Sequence, residues 1–210
     1  MARRKIPLLN GDYYHVYNRG VEKRNIVSDE SDQLRFLRSL SIFNTTKPVG
    51  SIFEYDAVKK RLGTPSPKLV DIIAFNLLNN HYHLVLKQLV DNGTSRFMQS
   101  FAGGFTKYFN QKYDRVGPLF QGSFKASLLY GDKLERIIAY VNLNHVIHQF
   151  GTPSSKWGVR SSWEQYVNGA RGVVEVSKWK KFDKSRSVDI VNDIIKERGL
   201  DLELGVPNDD

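Results

Sequence analysis

A mixed α/β (α+β) domain is what this sequence of 210 residues predicts, and three observations predict it. Stretches with period-two alternation are interleaved with stretches whose apolar residues recur at helical spacing. Two apolar runs, residues 69–78 and 81–89, are separated only by Asn79-Asn80, which reads as an antiparallel hairpin. A content of 40% hydrophobic and 25% charged residues is enough to bury a core, which sets disorder aside.

The elements follow in order. In "DYYHVYNRG", Tyr13, His15 and Tyr17 alternate with Tyr14 and Val16, so a first strand ends at the turn signal Asn18 to Gly20. Leu34, Phe36, Leu37, Leu40 and Phe43 then repeat with helical spacing behind Asp29 and Glu30, acidic residues suited to a helix N-terminus. The Pro, Gly, Thr and Ser of residues 44–68 predict a loop with a small strand near Ile52 to Tyr55. After the hairpin, Phe97, Phe101, Phe105, Tyr108 and Phe109 predict a long helix capped by Thr94 or Ser95. Its Gly103-Gly104 pair marks close packing or a bend. A loop or short β-ribbon over "RVGPLFQGSFKASLLYGD" leads to a further helix, capped by Asp132 and ended by Gly151. Beyond it, Trp, Ser and turn residues precede the basic "SKWKKFDKSR" and the amphipathic "SVDIVNDIIKERGL". This change places a boundary near residue 152, giving a main domain over 1–151 and a basic, partly helical extension over 152–210.

The net charge of +9 attracts polyanions, nucleic acid before anionic membrane. With no cysteine, disulfides, thiolate metal sites and cysteine nucleophiles are excluded, and any metal must be held by His, Asp, Glu or amide oxygen. The apolar stretch behind the basic start is too short for a signal peptide, and the longest apolar run is broken by Asp71 and Asn76, too polar to span a bilayer. The expected location is the cytoplasm, with no membrane partner.

Four stretches carry candidate chemistry. In "NNHYHLVL", His81 and His83 are two residues apart on a strand and project to one face, as a bite for one metal ion or as two imidazoles satisfied within a half-buried sheet. Tyr140 and Asn144 are four residues apart on a helix and share a face. They read as a nucleophilic phenol beside an amide ligand, or as a core aromatic beside a surface residue. Arg115, Gln121 and Lys125, mixed with Phe120 and Phe124 between glycines, would offer phosphate contacts and aromatic faces to unstacked bases, or form an ordinary hairpin. In "SKWKKFDKSR", Lys180 and Lys181 sit in a phosphate-binding patch or a solvated charge run.

Taken together, "YHVYNRG", "AFNLLNNHYHLVL", "FMQSFAGGFTKYFNQKYDRVGPLFQGSFKA" and "IIAYVNLNHV", in this order over about residues 11–150, resemble the single-tyrosine HUH transposases, in particular the IS200-like and REP-associated group. "WGVRSSWEQY" resembles the segment that commonly follows. The resemblance implies a ferredoxin-like or RRM-like sandwich around a central antiparallel sheet, with His81 and His83 as the HUH histidines and Tyr82 as the variable residue between them. It makes Tyr140 the nucleophile and Asn144 the third ligand of Mg²⁺ or Mn²⁺. Relatives often read Asn-Pro-Val where this chain has Asn144-His145-Val146, so His145 is an extra ligand or a polar surface residue. They read Met-Pro-Asn-His where this chain has Leu78-Asn79-Asn80-His81.

The implied activity is DNA transposition: nicking and strand transfer on single-stranded, hairpin-containing DNA through a 5′-phosphotyrosine, commonly by a homodimer. Arg19, Arg115, Gln121, Lys125, Lys180 and Lys181 would contact the DNA. Two other readings stand beside it. One is a non-catalytic nucleic-acid-binding relative, and the other a phosphodiesterase that uses water in place of Tyr140. Should Tyr140 fail as nucleophile, Tyr108 is next.

Overall fold

The computed structural model describes residues 6–58, 66–147, 161–169, 172–175 and 183–197. Four strands, β1 (Tyr13–Arg19), β2 (Val70–Leu77), β3 (His81–Gln88) and β4 (Lys125–Leu129), form one sheet in the order β2-β3-β1-β4. Every neighbouring pair is antiparallel. With α1 (Glu30–Ile42) between β1 and β2, and α3 (Gly93–Lys112) between β3 and β4, the chain traces the β-α-β-β-α-β path of a ferredoxin-like sandwich. The expected fold is therefore observed.

One face of the sheet is aromatic and closed. Phe36 of α1 and Phe97, Phe101, Phe105 and Phe109 of α3 pack on Tyr14, Val16, Phe75, Tyr82 and Leu84. Tyr82 sits among the rings of Phe36, Phe101 and Phe120, with centroids 5.5–5.7 Å away and the rings tilted or edge-on, a geometry in which each aromatic pair adds about 0.5–1.5 kcal/mol beyond area burial. The helices are also clamped by charge. Asp32, fully buried on α1, accepts from Tyr108 Oη at 3.0 Å, Tyr113 Oη at 2.7 Å and Lys112 Nζ at 2.8 Å, all from α3 or its C-terminus. A buried carboxylate this well supplied with donors leaves no oxygen unmet in the core.

The opposite face carries α4 (Asp132–Ile147), whose Leu134, Ile138, Val141 and Leu143 cluster with Ile73, Ala74 and Val85. A bulge between Ile72 and Ala74 shifts the register of β2, and it sends Ile72 into the aromatic layer while Ile73 and Ala74 both face α4. The last helix, α6 (Lys184–Glu197), lies on α4 through Val191 and Ile194, with ion pairs from Arg186 to Glu135 and from Arg136 to Glu197. The outer edge of β2 is covered by later chain. Ser162 N donates to Phe75 O, Glu175 N donates to Ile72 O, and Ser161 forms a bridge with Asn76 just ahead of the short helix α5 (Trp163–Val167). The boundary expected near residue 152 lies outside the described residues, as does the helix end at Gly151. No described helix is long and apolar enough to cross a membrane.

Two local expectations are corrected. The small strand expected near Ile52 to Tyr55 is a helix, α2 (Ile52–Val58). Ser51-Ile52-Phe53-Glu54 has the spacing of a capping box, and Ser51 Oγ accepts from Glu54 N at 3.1 Å. The long helix α3 is not capped by Thr94 or Ser95. It starts after Asn92, and Gln88 Oε1 accepts from Thr94 N at 3.1 Å, so a strand side chain satisfies one of the helix's open N–H groups.

The Gly103-Gly104 pair resolves into two different positions. A Cβ on Gly104 would meet the Phe43 ring at 2.5 Å, whereas one on Gly103 would meet nothing within 4 Å. Gly104→Ala should therefore lower unfolding free energy by about 1–3 kcal/mol through overpacking. Gly103→Ala should raise it by about 0.5–1 kcal/mol through helix propensity. Urea denaturation of the two variants checks the opposite signs.

Candidate active site

The pleat of β3 sends Tyr82 into the aromatic layer and its two neighbours to the α4 side. His83 is buried and His81 half-buried, and their ring centroids lie 5.2 Å apart with planes at 84°. Nδ1 of His81 lies 2.6 Å from Asn80 Oδ1. An amide oxygen only accepts, so in this contact His81 Nδ1 carries the proton and the lone pair is on Nε2.

Across the sheet, Asn76 of β2, His83 of β3, Tyr17 of β1 and Lys125 of β4 stand in one row, and Arg19 stands opposite His81. His15 is one pleat away from Tyr17 and reaches diagonally to His83, with Nε2 2.9 Å from His83 Nδ1. Protein packed around the His15 ring removes hydration from its charged form and pushes its pKa down to about 4, leaving it neutral at physiological pH. Burial likewise raises the Tyr17 phenol.

From above, α4 lowers Tyr140 onto this row. Its ring is edge-on to His83 with centroids 5.8 Å apart, and edge-on to His15 at 6.5 Å. Tyr140 is 7% exposed and Asn144, one turn later, is fully buried. Asn144 is thus no surface residue. Neither amide atom of Asn144, nor of Asn76, has a hydrogen-bond partner among the described residues. Such groups cost about 1–3 kcal/mol each when left unmet. They are explained if something else binds them.

The donors around His83 are imidazole nitrogens and amide oxygens, a neutral N/O set that suits Mg²⁺ or Mn²⁺ in company with water and phosphate oxygens. No cluster of three His, Cys, Asp or Glu occurs among the described residues, while the amide of Asn144 is buried with neither atom partnered among them. On these grounds the residues present fit a divalent ion.

The helix is held over the sheet by a further polar clamp that sequence reasoning missed. Ser162 Oγ accepts from Phe75 N at 3.0 Å and donates to Asn142 Oδ1 at 2.5 Å, tying α4 to β2 next to Asn76. Asn76 did carry a signal, as one of two polar residues, with Asp71, inside a mostly apolar strand. His15 carried one too, by sharing the alternating face of Tyr13 and Tyr17.

The expected DNA contacts are distributed as follows. Arg19, Gln121 and Lys125 gather at the His81 end of the sheet, where Gln121 is exposed and its backbone N–H donates to Arg19 O. Arg115 folds back onto the end of α3, donating to Asn110 Oδ1 at 2.7 Å and lying over the Phe109 ring. Lys180, Lys181 and the side chain of His145 lie outside the described residues. Tyr108 is on the other side of the sheet, bound to Asp32.

Residues 63–144 match the family model described as "Transposase IS200 like". The sequence resemblance is borne out by this match, which spans the His81 to His83 pair, Tyr140 and Asn144. A solved structure described as a REP-associated tyrosine transposase bound to a REP hairpin is 17% identical, covers 84% of this chain and 90% of that one, and superposes with a TM-score of 0.50. That likeness concerns the fold. A tRNA(His) guanylyltransferase from Saccharomyces cerevisiae, 12% identical, with coverage of 90% of this chain and 80% of that one, has a TM-score of 0.38 and is too distant to inform it. No curated protein matches the chain.

The Ser162 clamp yields a direct expectation. Ser162→Ala leaves the Phe75 N–H and the Asn142 carbonyl without their partner, and should lower unfolding free energy by about 1–3 kcal/mol. Chemical denaturation of the variant measures it.

Proposed function

We propose that the chain is a metal-dependent DNA transposase that nicks and rejoins single-stranded DNA through Tyr140. The observation that carries this reading is the packing of the Tyr140 ring against His83, on the face where His81 also projects. The match to the IS200-like family supports the same conclusion.

In this reading His81 and His83, through ring nitrogens, and Asn144, through its amide oxygen, hold Mg²⁺ or Mn²⁺. When bound, that ion supplies positive charge to a non-bridging oxygen of the scissile phosphate and favours the ionised phenol. Tyr140 Oη attacks the phosphorus. Its bond to phosphorus forms as the bond to the 3′-oxygen breaks, and the 3′-oxygen leaves with the electron pair and takes up a proton. The product is a 5′-phosphotyrosine and a free 3′-OH. Because the phosphodiester's energy is kept, the reverse attack by a 3′-OH rejoins strands without a nucleotide cofactor. Burial of Tyr140 and His83 between α4 and the sheet limits water, which favours transfer over hydrolysis.

Arg19, Gln121 and Lys125 at the His81 end of the sheet would hold the backbone flanking the scissile phosphate. Arg115, Lys180 and Lys181 would extend the contact, with the net charge of +9 drawing the strand in. A hairpin beside the cleavage site is supported by the ligand of the structurally similar transposase. An assembly of two copies belongs to this reading through the family resemblance alone.

The test incubates the protein with labelled single-stranded hairpin DNA from the flanks of its own gene, with Mg²⁺ or with EDTA. A covalent protein–DNA band is expected in Mg²⁺ only. Tyr140→Phe should remove it by on the order of a thousandfold or more, while Tyr108→Phe retains it. Tight binding with no adduct would favour the non-catalytic relative, and cleavage surviving in Tyr140→Phe would favour the water-using phosphodiesterase.

A further inference from the structure

We propose that His15 is a positioning residue for His83: His83 donates its Nδ1 proton to His15 Nε2, which turns the His83 Nε2 lone pair to the metal side. The inference rests on the metal reading above and adds a residue to it. His15 also lies outside the span matched by the family model, which begins at residue 63.

The geometry is specific. The two rings are nearly coplanar, with planes 15° apart and centroids separated by 5.1 Å, while the nitrogens are 2.9 Å apart. A centroid separation that much larger than the nitrogen distance means that the rings meet edge to edge, nitrogen to nitrogen, with no overlap of faces. That is the arrangement in which an in-plane N–H meets an in-plane lone pair. It is also what the sheet register dictates. His15 pairs with Val85 and Tyr17 pairs with His83, so His15 and His83 are diagonal neighbours on one face, within reach for long side chains.

Only one of the two possible proton placements serves a metal site. If His15 donated, His83 would accept at Nδ1 and carry its proton on Nε2, closing that nitrogen to coordination. If His83 donates, its Nε2 is a ligand, and the bond to His15 fixes both the tautomer and the ring plane. His81 shows the same pattern, since its Nδ1 is turned to Asn80 Oδ1. The two histidines are thus oriented by different partners, a neighbour in the hairpin turn for His81 and a residue of the adjacent strand for His83. Outer groups of this kind typically change metal affinity by 10–100-fold when removed. His15 in addition faces Tyr140 edge-on at 6.5 Å, so it lies beside the phenol as well as beside His83.

The test has two arms that do not depend on turnover. In the first, Mn²⁺ binding is measured by titration calorimetry and electron paramagnetic resonance on the full chain and on His15→Leu and His15→Gln, with thermal melts to verify folding. His15→Leu removes the acceptor and should weaken binding by about 10–100-fold. His15→Gln places an amide oxygen close to the former Nε2 and should restore binding to near the parent's. In the second arm, nitrogen NMR of ¹⁵N-histidine-labelled protein without metal should show His83 protonated at Nδ1. Unchanged Mn²⁺ binding in a folded His15→Leu, equal loss in both variants, or a proton on His83 Nε2 each overturns the proposal. A parent that binds no Mn²⁺ overturns the metal reading itself. That result is distinct, because the parent then fails before any variant is compared.

Discussion

The rest of this structure depends on the register of β3. Its pleat alternates two incompatible environments, and a slip by one residue would drive His81 and His83 into the phenylalanine layer and turn Tyr82 toward α4. The aromatic packing of Tyr82 against Phe36, Phe101 and Phe120 therefore does more than fill a core. It sets two imidazoles side by side on the far side of the sheet, with ring centroids 5.2 Å apart. Stability and site geometry come from the same strand, read from its two faces.

The division of labour extends outward from that strand. On the closed side, the buried carboxylate of Asp32 is supplied by Lys112, Tyr108 and Tyr113. On the α4 side, the amides of Asn76 and Asn144 are buried without such satisfaction among the described residues. Folded proteins leave few buried polar groups unmet, and those that remain tend to mark places where a ligand completes the set.

Much of this was legible in the sequence because the signals are local. Period-two alternation exposes β1 and the hairpin, helical spacing of phenylalanines exposes α3, and the i, i+2 and i, i+4 spacings bring His81 to His83 and Tyr140 to Asn144. The failures have physical causes as well. The α2 segment is short, and its capping box outweighs the β-branched and aromatic residues that suggested a strand. The start of α3 is set by Gln88 from another element, which local propensity does not contain. His15 and Ser162 matter only through partners distant in sequence, His83 at 68 residues for the one and Asn142 and Phe75 at 20 and 87 residues for the other. A single sequence does not state which strands lie side by side.

The most direct measurement of the central claim is to locate the covalent bond. Protein reacted with hairpin DNA in Mg²⁺ is digested with trypsin and nuclease, and the residual nucleotide is mapped by mass spectrometry. The account predicts a 5′-phosphoryl nucleotide on the peptide containing Tyr140, with fragment ions assigning it to that phenol. Its attachment at Tyr108, or at any residue off the His81 and His83 face, would contradict the account.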